Sequence, residues 1–474
     1  MLKKLLLVLM ACVMLFSCAA CGNNNEPQET VTLKWLVPGD EQPDTAKVLE
    51  EVNKILEPEI GVKLDLQFIA TGSYSEKMKM DMAAGGDFDL CFTANWLNTY
   101  VTGARNGGFY DVTDLIDKEL RATMDDKVWE ASKVDGKIYA VPNNQVMFSQ
   151  LAVGVRKDLA EKYNLDLGAI KHIEDIEPFL ETIKNNEEGV YPYNASTFVS
   201  PWVNDYVGKV NPAQWIGYRY DTNEVVIYND QPEVQAAMAK LREWYKKGYI
   251  RSDFASAGGD TNATDINQGK YAVKIETWKP GMDYFDAEGN VPYVWQPIGK
   301  TLFGTPTATM TAISATCKYP EKAMELIKVM NTNKEVYNLI CYGIEGTHYT
   351  LDAENKVVLT EPSGYVPQGD WKFGSQFNAM LSAGMDDNVW EETERLNREA
   401  IATPISDFTF NSSTVRVENS QVAATNVEYS FTTWLTAKDS DTFLAQRTKA
   451  MEASGSKTVF EEAKKQIQEH TANK

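Results

Sequence analysis

Histidine is almost missing from this chain, with three residues among 474, and none has a neighbour set that could hold a metal. A metal centre needs His, Cys, Asp or Glu at ligand spacing, so no metal is expected. Cysteine is scarce too. Of six, Cys12, Cys18 and Cys21 crowd the N-terminus, and Cys91, Cys317 and Cys341 do not make a disulfide framework. A bridge between Cys317 and Cys341 stays open, while Cys91 lies in an apolar stretch and reads as a buried thiol. Positive charge is short: 46 Lys and Arg stand against 67 Asp and Glu, a net charge of -21. A nucleic-acid binder shows a basic stripe or face, so that partner is excluded, and an anionic ligand is disfavoured. Beyond the first residues no G-x-S-x-G elbow, P-loop, H-E-x-x-H or C-x-x-C occurs, which removes the usual signatures of hydrolases, NTPases, zinc proteases and thiol oxidoreductases. With 67 acids, a glycosidase-like carboxylate pair can always be drawn on paper and carries no weight. The expectation is a protein that is not an enzyme and needs no cofactor.

One long apolar run exists, Leu5 to Phe16, preceded by Lys3 and Lys4. It is short of the ~20 residues of a membrane span and fits the core of a signal peptide. Ala19, Ala20 and Cys21 follow. This resembles a lipoprotein signal, cut before a cysteine whose thiol carries diacylglycerol. Residues 1–20 are then the signal peptide and 21–30 a flexible tether. The position three before Cys21 is usually Leu and here is Cys18. Lipidation at Cys18 restores Leu15 to that position but sets bulky Phe16 beside it. Cys21 is preferred because Gly22-Asn23-Asn24-Asn25 follows it as a tether. The expected place is extracytoplasmic, lipid-anchored to the outer face of a bacterial cell membrane.

Val31 to Val37 alternates apolar and polar residues, as a half-buried strand does. A helix with Val48, Val52, Ile55 and Leu56 on one face follows, and Gly61 breaks it. Val62 to Phe68 alternates again. A helix from about Ser73 to Ala84 leads to a third strand at Asp89 to Phe92. Strand–helix–strand–helix–strand predicts an α/β fold with mostly parallel sheets flanked by helices. Ligands bind such sheets beyond the carboxyl ends of the strands, where Asn95 and Trp96 stand. Later segments repeat the logic. Strands are expected at 152–156, 270–275 and 309–315, and helices at 176–183, 234–245, 320–330 and 334–340. The end of the chain reads as charged helix, closing with 456–469.

Several patterns resemble the extracellular solute-binding proteins that include the maltose-binding protein. They are Gly108-Phe109-Tyr110-Asp111-Val112-Thr113-Asp114-Leu115, Val134 to Pro142, Lys270-Tyr271-Ala272-Val273, and Ala312-Ile313-Ser314 followed by Pro320-Glu321-Lys322-Ala323. Tyr342 to Tyr349, Trp371-Lys372-Phe373-Gly374 and Phe410-Asn411-Ser412-Ser413 are similar to a lipoprotein subgroup with an extra C-terminal domain of unknown function, often associated with carbohydrates such as aldouronates. The resemblance implies a two-lobed periplasmic-binding-protein-like fold of type II with a hinge between lobes. Lobe 1 is expected at 31–145 plus 302–345, lobe 2 at 146–301 plus 346–405, and a helical C-terminal extension at 406–474. It also implies a monomer that captures a small molecule, most of all an oligosaccharide, and delivers it to an ABC permease in the membrane. A peptide or other small organic solute is the alternative ligand, and a surface glycan hydrolase or adhesin the alternative class.

Sugar rings present apolar faces and hydroxyl rims, which aromatic and amide or charged side chains recognise respectively. Trp96 and Trp278, each just past a strand, are therefore expected to face each other across the cleft. Trp371 and Phe373 form a candidate third wall. Asn143 and Asn144, at the first crossover, are polar candidates, with Asn95, Glu276 and Arg219 behind them. Trp35 and Trp244 read as core, and His348 as a structural hydrogen-bonding residue of its turn.

Overall fold

The computed structural model describes residues 30–257, 264–282, 291–304, 306–367 and 369–472. The leader, Cys18, Cys21 and most of the tether lie outside the described residues. The first strand, β1 (Val31–Pro38), runs parallel to β2 (Val62–Ile69) and to β3 (Leu90–Thr93). Val31, Leu33, Trp35 and Val37 point to one face and meet helix α1 (Thr45–Ile60) through Val48, Val52 and Leu56. Leu36 points to the other face and meets Tyr74 and Met78 of α2 (Thr71–Ala83). The sheet is thus covered on both sides, as parallel strands require. Gly61 ends α1 in the left-handed conformation at φ 65°, and Asn53 of α1 pairs its amide with both backbone groups of Leu64, at 2.7 and 3.2 Å, which fixes where β2 begins.

This first-lobe sheet has the order β2-β1-β3-β12-β4, with β4 at Ala140–Pro142 and β12 at Met310–Ile313. The chain enters the second lobe along β5 (Phe148–Arg156) and returns along β11 (Tyr293–Phe303). Between them lie β6 (Tyr191–Tyr193), a small antiparallel sheet of β7 (Val207–Lys209), β8 (Ile216–Arg219) and β9 (Val225–Ile227), and then β10 (Tyr271–Thr277). The second-lobe sheet is ordered β11-β5-β10-β6. Here the expectation of mostly parallel sheets is corrected. Only β10 with β6 is parallel in that sheet, and β12 is antiparallel to both its neighbours. The reason is topological: a strand that leaves the hinge and one that comes back to it must run in opposite directions. Helices α3 (Glu177–Asn186) and α4 (Pro232–Lys247) cover one face, with Trp244 fully buried.

After β12, helices α5 (Pro320–Thr332) and α6 (Lys334–Tyr342) close over the first-lobe core. Residues 346–405, expected wholly on the second lobe, divide otherwise. Tyr365, Phe373 and Ala379 are part of the first-lobe core, while Leu396 and Ala400 pack on Met147, Phe148 and Phe303 at the junction. The sequence offered no break at which to divide this stretch, because its buried aromatics suit either core. Cys317 and Cys341 are both free thiols, as is buried Cys91. The chain ends in α8 (Arg416–Glu428), α9 (Phe431–Thr436), α10 (Ser440–Ala453) and α11 (Ser456–Ala472), following α7 (Val389–Glu399) at the junction. This helical extension packs on the small sheet through Val422, Val459 and Ile467 against Trp215, Ile216 and Tyr218.

The two lobes are joined by backbone that belongs to neither large core. Gly304 donates to the Met147 carbonyl at 2.8 Å, Phe303 to Ile401 at 2.8 Å, and Ile401 to Thr301 at 3.0 Å. Asn397 of α7 substitutes for a missing strand: its Oδ1 accepts from Met147 N–H at 2.7 Å and its Nδ2 donates to the Gln145 carbonyl at 2.6 Å.

His348 is fully buried, far from any reactive arrangement. Its Nδ1 accepts from the Ile344 N–H at 2.9 Å, which leaves the proton on Nε2, 3.2 Å from Asp44 Oδ2. Gly343 makes this turn at φ 81° and ψ -142°, and a Cβ there would lie 2.4 Å from His348 Nδ1. Gly346 has a similar φ of 75° with open space around it. Gly343→Ala is expected to destabilise by about 3 kcal/mol or more, from a Gly-only conformation plus a clash, and Gly346→Ala by only about 1 kcal/mol. Denaturant melts of the two variants check this, and equal losses would contradict it.

Candidate functional site

A cavity of about 1070 Å³ opens between the lobes beside the junction. Asn95, Phe303, Gly304 and Thr307 line it where the chain crosses, and Asn95 N–H donates to the Thr307 carbonyl at 2.7 Å. Tyr100, Arg105 and Asp135 line it from the first lobe, and Asn211, Gln214 and Tyr220 from the second. No group of acids, His and Cys able to hold a metal exists among the described residues.

Beside Asn95 stands an aromatic cluster. Trp96 is 55% exposed, large for a Trp, yet it is not loose. Its Nε1 donates to the Ala308 carbonyl at 2.8 Å, and its ring meets buried Phe92 at 6.1 Å and Trp371 at 6.3 Å. Trp371 itself lies edge-on to Phe92 at 5.8 Å. A pinned aromatic with an open face is ready to stack without paying further ordering entropy.

Trp371 is carried by a short turn, Asp370–Lys372. Lys372 is only 3% exposed and reaches back to the end of β1, donating to the carbonyls of Pro38 at 3.0 Å and Pro367 at 2.9 Å. Burial outweighs the nearby Asp370 and Asp40 and brings its ammonium down to about 8. Asn143 holds the turn from the other side: its Nδ2 donates to the Trp371 carbonyl at 3.2 Å, and its Oδ1 accepts from Thr311 at 3.2 Å.

Trp278 follows β10 on the second lobe. It is half-buried, its N–H donates to the Gln150 carbonyl, and its ring lies 6.4 Å from Phe148. The next residue, Lys279, has its ammonium pulled down by burial and pushed up by the charge of Asp370.

The other expected site residues separate cleanly. Asn95 is exposed and lines the cavity. Asn143 and Asn144 are 2% and 8% exposed, and Asn144 donates to the Thr123 carbonyl at 2.9 Å, so both amides hold the crossover. Glu276 pairs at 3.1 Å with Lys274, which sits over the Tyr293 and Trp295 rings at 4.3 and 5.0 Å. Arg219 is corrected: its guanidinium is spent on Asp221, Gln231 and Glu233 at the edge of the small sheet. Phe373 is corrected as well. It is fully buried, edge-on to Trp35 at 5.9 Å, and serves the first-lobe core, because successive residues of a tight turn cannot all face one cleft. Sequence reasoning missed Asn211, Gln214 and the cavity residues Asp407, Phe408 and His470 of the C-terminal extension. The Phe408-Thr409-Phe410-Asn411 stretch was a signal, since two aromatics beside polar residues open a segment that is otherwise charged helix.

A family profile described as bacterial extracellular solute-binding protein matches residues 52–344, and one described as a domain of unknown function matches residues 404–472. A carbohydrate ABC transporter substrate-binding protein of Streptococcus pneumoniae serotype 4 is 28% identical over 476 residues, 96% of each chain. Among solved structures, the N-glycan transport solute-binding protein NgtS of Streptococcus pneumoniae superposes with TM-score 0.82 at 26% identity, covering 93% of this chain and 99% of that one. The same protein in complex with Man5GlcNAc superposes less well, at TM-score 0.70 with 27% identity, over 94% and 99% of the chains.

The Lys372 cation yields a pH signature. Its folded value lies below the ~10.4 of an unfolded lysine. Below pH 8 both states keep the proton and the cost of the buried charge is fully borne. Between about 8 and 10.4 the folded state has lost a proton that the unfolded state keeps, so stability rises with pH. Buried Tyr337 and Cys341, held neutral by burial, oppose this in the same window. The measurement is therefore a difference. The stability of the wild type minus that of Lys372→Met is expected to grow by about 2–3 kcal/mol between pH 7 and pH 10, and a flat difference would contradict it.

Proposed function

Since the chain belongs to the bacterial extracellular solute-binding proteins, we propose that it is the substrate-binding component of an ABC importer for an oligosaccharide. It captures the sugar in the inter-lobe cavity and presents it to a membrane permease. The observation that carries this reading is the pinned, 55% exposed Trp96 ring beside a cavity of about 1070 Å³ between two lobes, whose lining mixes amides and aromatics with charged side chains such as Arg105, Asp135 and Lys209. Sugars need an apolar platform and hydrogen-bonding partners for their hydroxyls, and the exposed Trp96 ring and the amides of Asn95, Asn211 and Gln214 offer both. The relatives named above support the ligand class, since one is a carbohydrate-transporter component and the other is solved with a glycan.

The mechanism is capture by closure. The lobes are separate cores joined at the Met147–Gly304 junction, so they can rotate as bodies with little loss of packing. Ligand bound to both walls favours the closed arrangement by its extra contacts there, which shifts a population and needs no chemistry. The sugar leaves unchanged, and no catalytic role is assigned to any residue. The protein acts as a monomer, with a lipid on Cys21 holding it at the outer face of the cell membrane.

Trp96 and Trp278 then form the two apolar walls. Trp96→Ala is expected to weaken Man5GlcNAc binding by ~2 kcal/mol, about thirtyfold, while changing unfolding stability by less than ~1 kcal/mol. Trp278→Ala, half-buried against Phe148, lowers both. Calorimetric titration and denaturant melts separate the two quantities. Normal binding by Trp96→Ala would remove it from the site. The anchor is checked by mass spectrometry of the mature N-terminal peptide: diacylglycerol on Cys18 would move the site, and an unmodified N-terminus would abolish it.

A further inference from the structure

The C-terminal extension does more than decorate the second lobe. Asp407, Phe408 and His470 line the same cavity as Asn95 of the first lobe. The wall they build is rigid. His470 Nε2 lies 2.8 Å from Asp407 Oδ1, and the Phe408 ring packs on the His470 ring at 5.4 Å. Gln466 clamps the adjoining turn, accepting from Asn411 N–H at 3.0 Å and donating to its carbonyl at 2.8 Å. The extension is in turn fixed to the second lobe. Arg242 of α4 donates to the carbonyls of Trp434 at 3.0 Å, Leu435 at 2.9 Å and also Ala437, where α9 ends. A wall so attached travels with the second lobe when the cleft closes.

The chemistry of that wall matches the chemistry around Trp96. Phe408 is half-buried, with an aromatic ring backed on one side and a cavity on the other. Beside it, in the turn between β7 and β8, Asn211 and Gln214 are exposed, and neither amide makes a side-chain hydrogen bond among the described residues. Across the cavity Arg105 is neutralised by Asp135 at 3.1 Å. The space itself, about 1070 Å³, is just above the ~300–1,000 Å³ that holds a whole drug-sized ligand. Trp96 stands beside this space through its neighbour Asn95 and does not line it, so sugar rings stacked on Trp96 leave room there for more of the ligand.

From this juxtaposition we infer that the C-terminal extension supplies an outer sugar subsite, in which Phe408 is the stacking platform and Asn211 and Gln214 bind hydroxyls of a ring remote from Trp96. The inference rests on the sugar-binding reading and adds to it: the protein selects oligosaccharides by length, and the extension reads the distal end.

The test is calorimetric titration of the full mature chain with Man1GlcNAc and with Man5GlcNAc. Phe408→Ala is expected to weaken Man5GlcNAc binding at least tenfold and to leave Man1GlcNAc binding within twofold. The unchanged short ligand shows that the variant is folded. Phe408→Leu, which keeps the apolar volume and loses the planar face, is expected to fall with it. Two results would overturn the subsite: Man5GlcNAc affinity unchanged in both variants, or the two ligands weakened equally. Failure of the underlying reading looks different, because the wild type would then bind neither sugar.

Discussion

The structure depends on how two segments cross between the lobes without exposing or orphaning their backbone. A crossing chain belongs to neither sheet, so its N–H and C=O groups have no ladder to join, and leaving them unpaired in a partly buried place costs ~1–3 kcal/mol each. Met147 pairs with Gly304, and Thr301 and Phe303 pair with Ile401. Asn397 gives its side-chain amide to Gln145 and Met147. The third participant is thus α7 and Ile401, two residues beyond its end, a late segment of the chain. A single side chain standing in for a strand satisfies the backbone while adding little stiffness. That combination suits a joint that must be defined when open and still turn.

What is placed around this joint follows. Asn95, Trp96 and Trp371 sit at its first-lobe edge, and Trp278, packed on Phe148, at its second-lobe edge. Lys372, buried under the Trp371 turn and tied to Pro38, bears the cost of that placement as a buried charge that burial makes easier to lose. A solute-binding protein of this design needs its recognition groups rigid within each lobe and mobile only between lobes. Trp96, tied to Ala308, and Phe408, backed by His470, are held in the way that the proposed recognition groups would require.

The first lobe was readable in the sequence because its strands alternate and its helices repeat at helical spacing. Val31 to Pro38 and α1 stand where those patterns put them. The second lobe was harder. Its long return strand β11 contains Gln296-Pro297 and Gly299-Lys300, which break the alternation that marks a strand. Its mixed direction follows from where the chain enters and leaves, which no local pattern records. At the site, the rule that residues just past strands face a cleft singled out Asn95, which lines the cavity, and Trp96 and Trp278, whose part in binding is proposed. Phe373 and Arg219 were misjudged because residue type alone cannot separate a ring in a core from a ring on a wall, or a free guanidinium from one caught by Asp221 and Glu233. The extension's contribution was hidden by distance: more than three hundred residues separate Asn95 from Phe408 in a cavity that they share.

Closure on a sugar is the central claim, and small-angle X-ray scattering reads it directly. The mature protein is measured alone and with saturating Man5GlcNAc, with binding verified by titration in the same buffer. The account predicts a smaller radius of gyration and maximum dimension in the presence of the sugar, as two rigid lobes rotate about the Met147–Gly304 junction. Scattering that is unchanged when the sugar is demonstrably bound would contradict it.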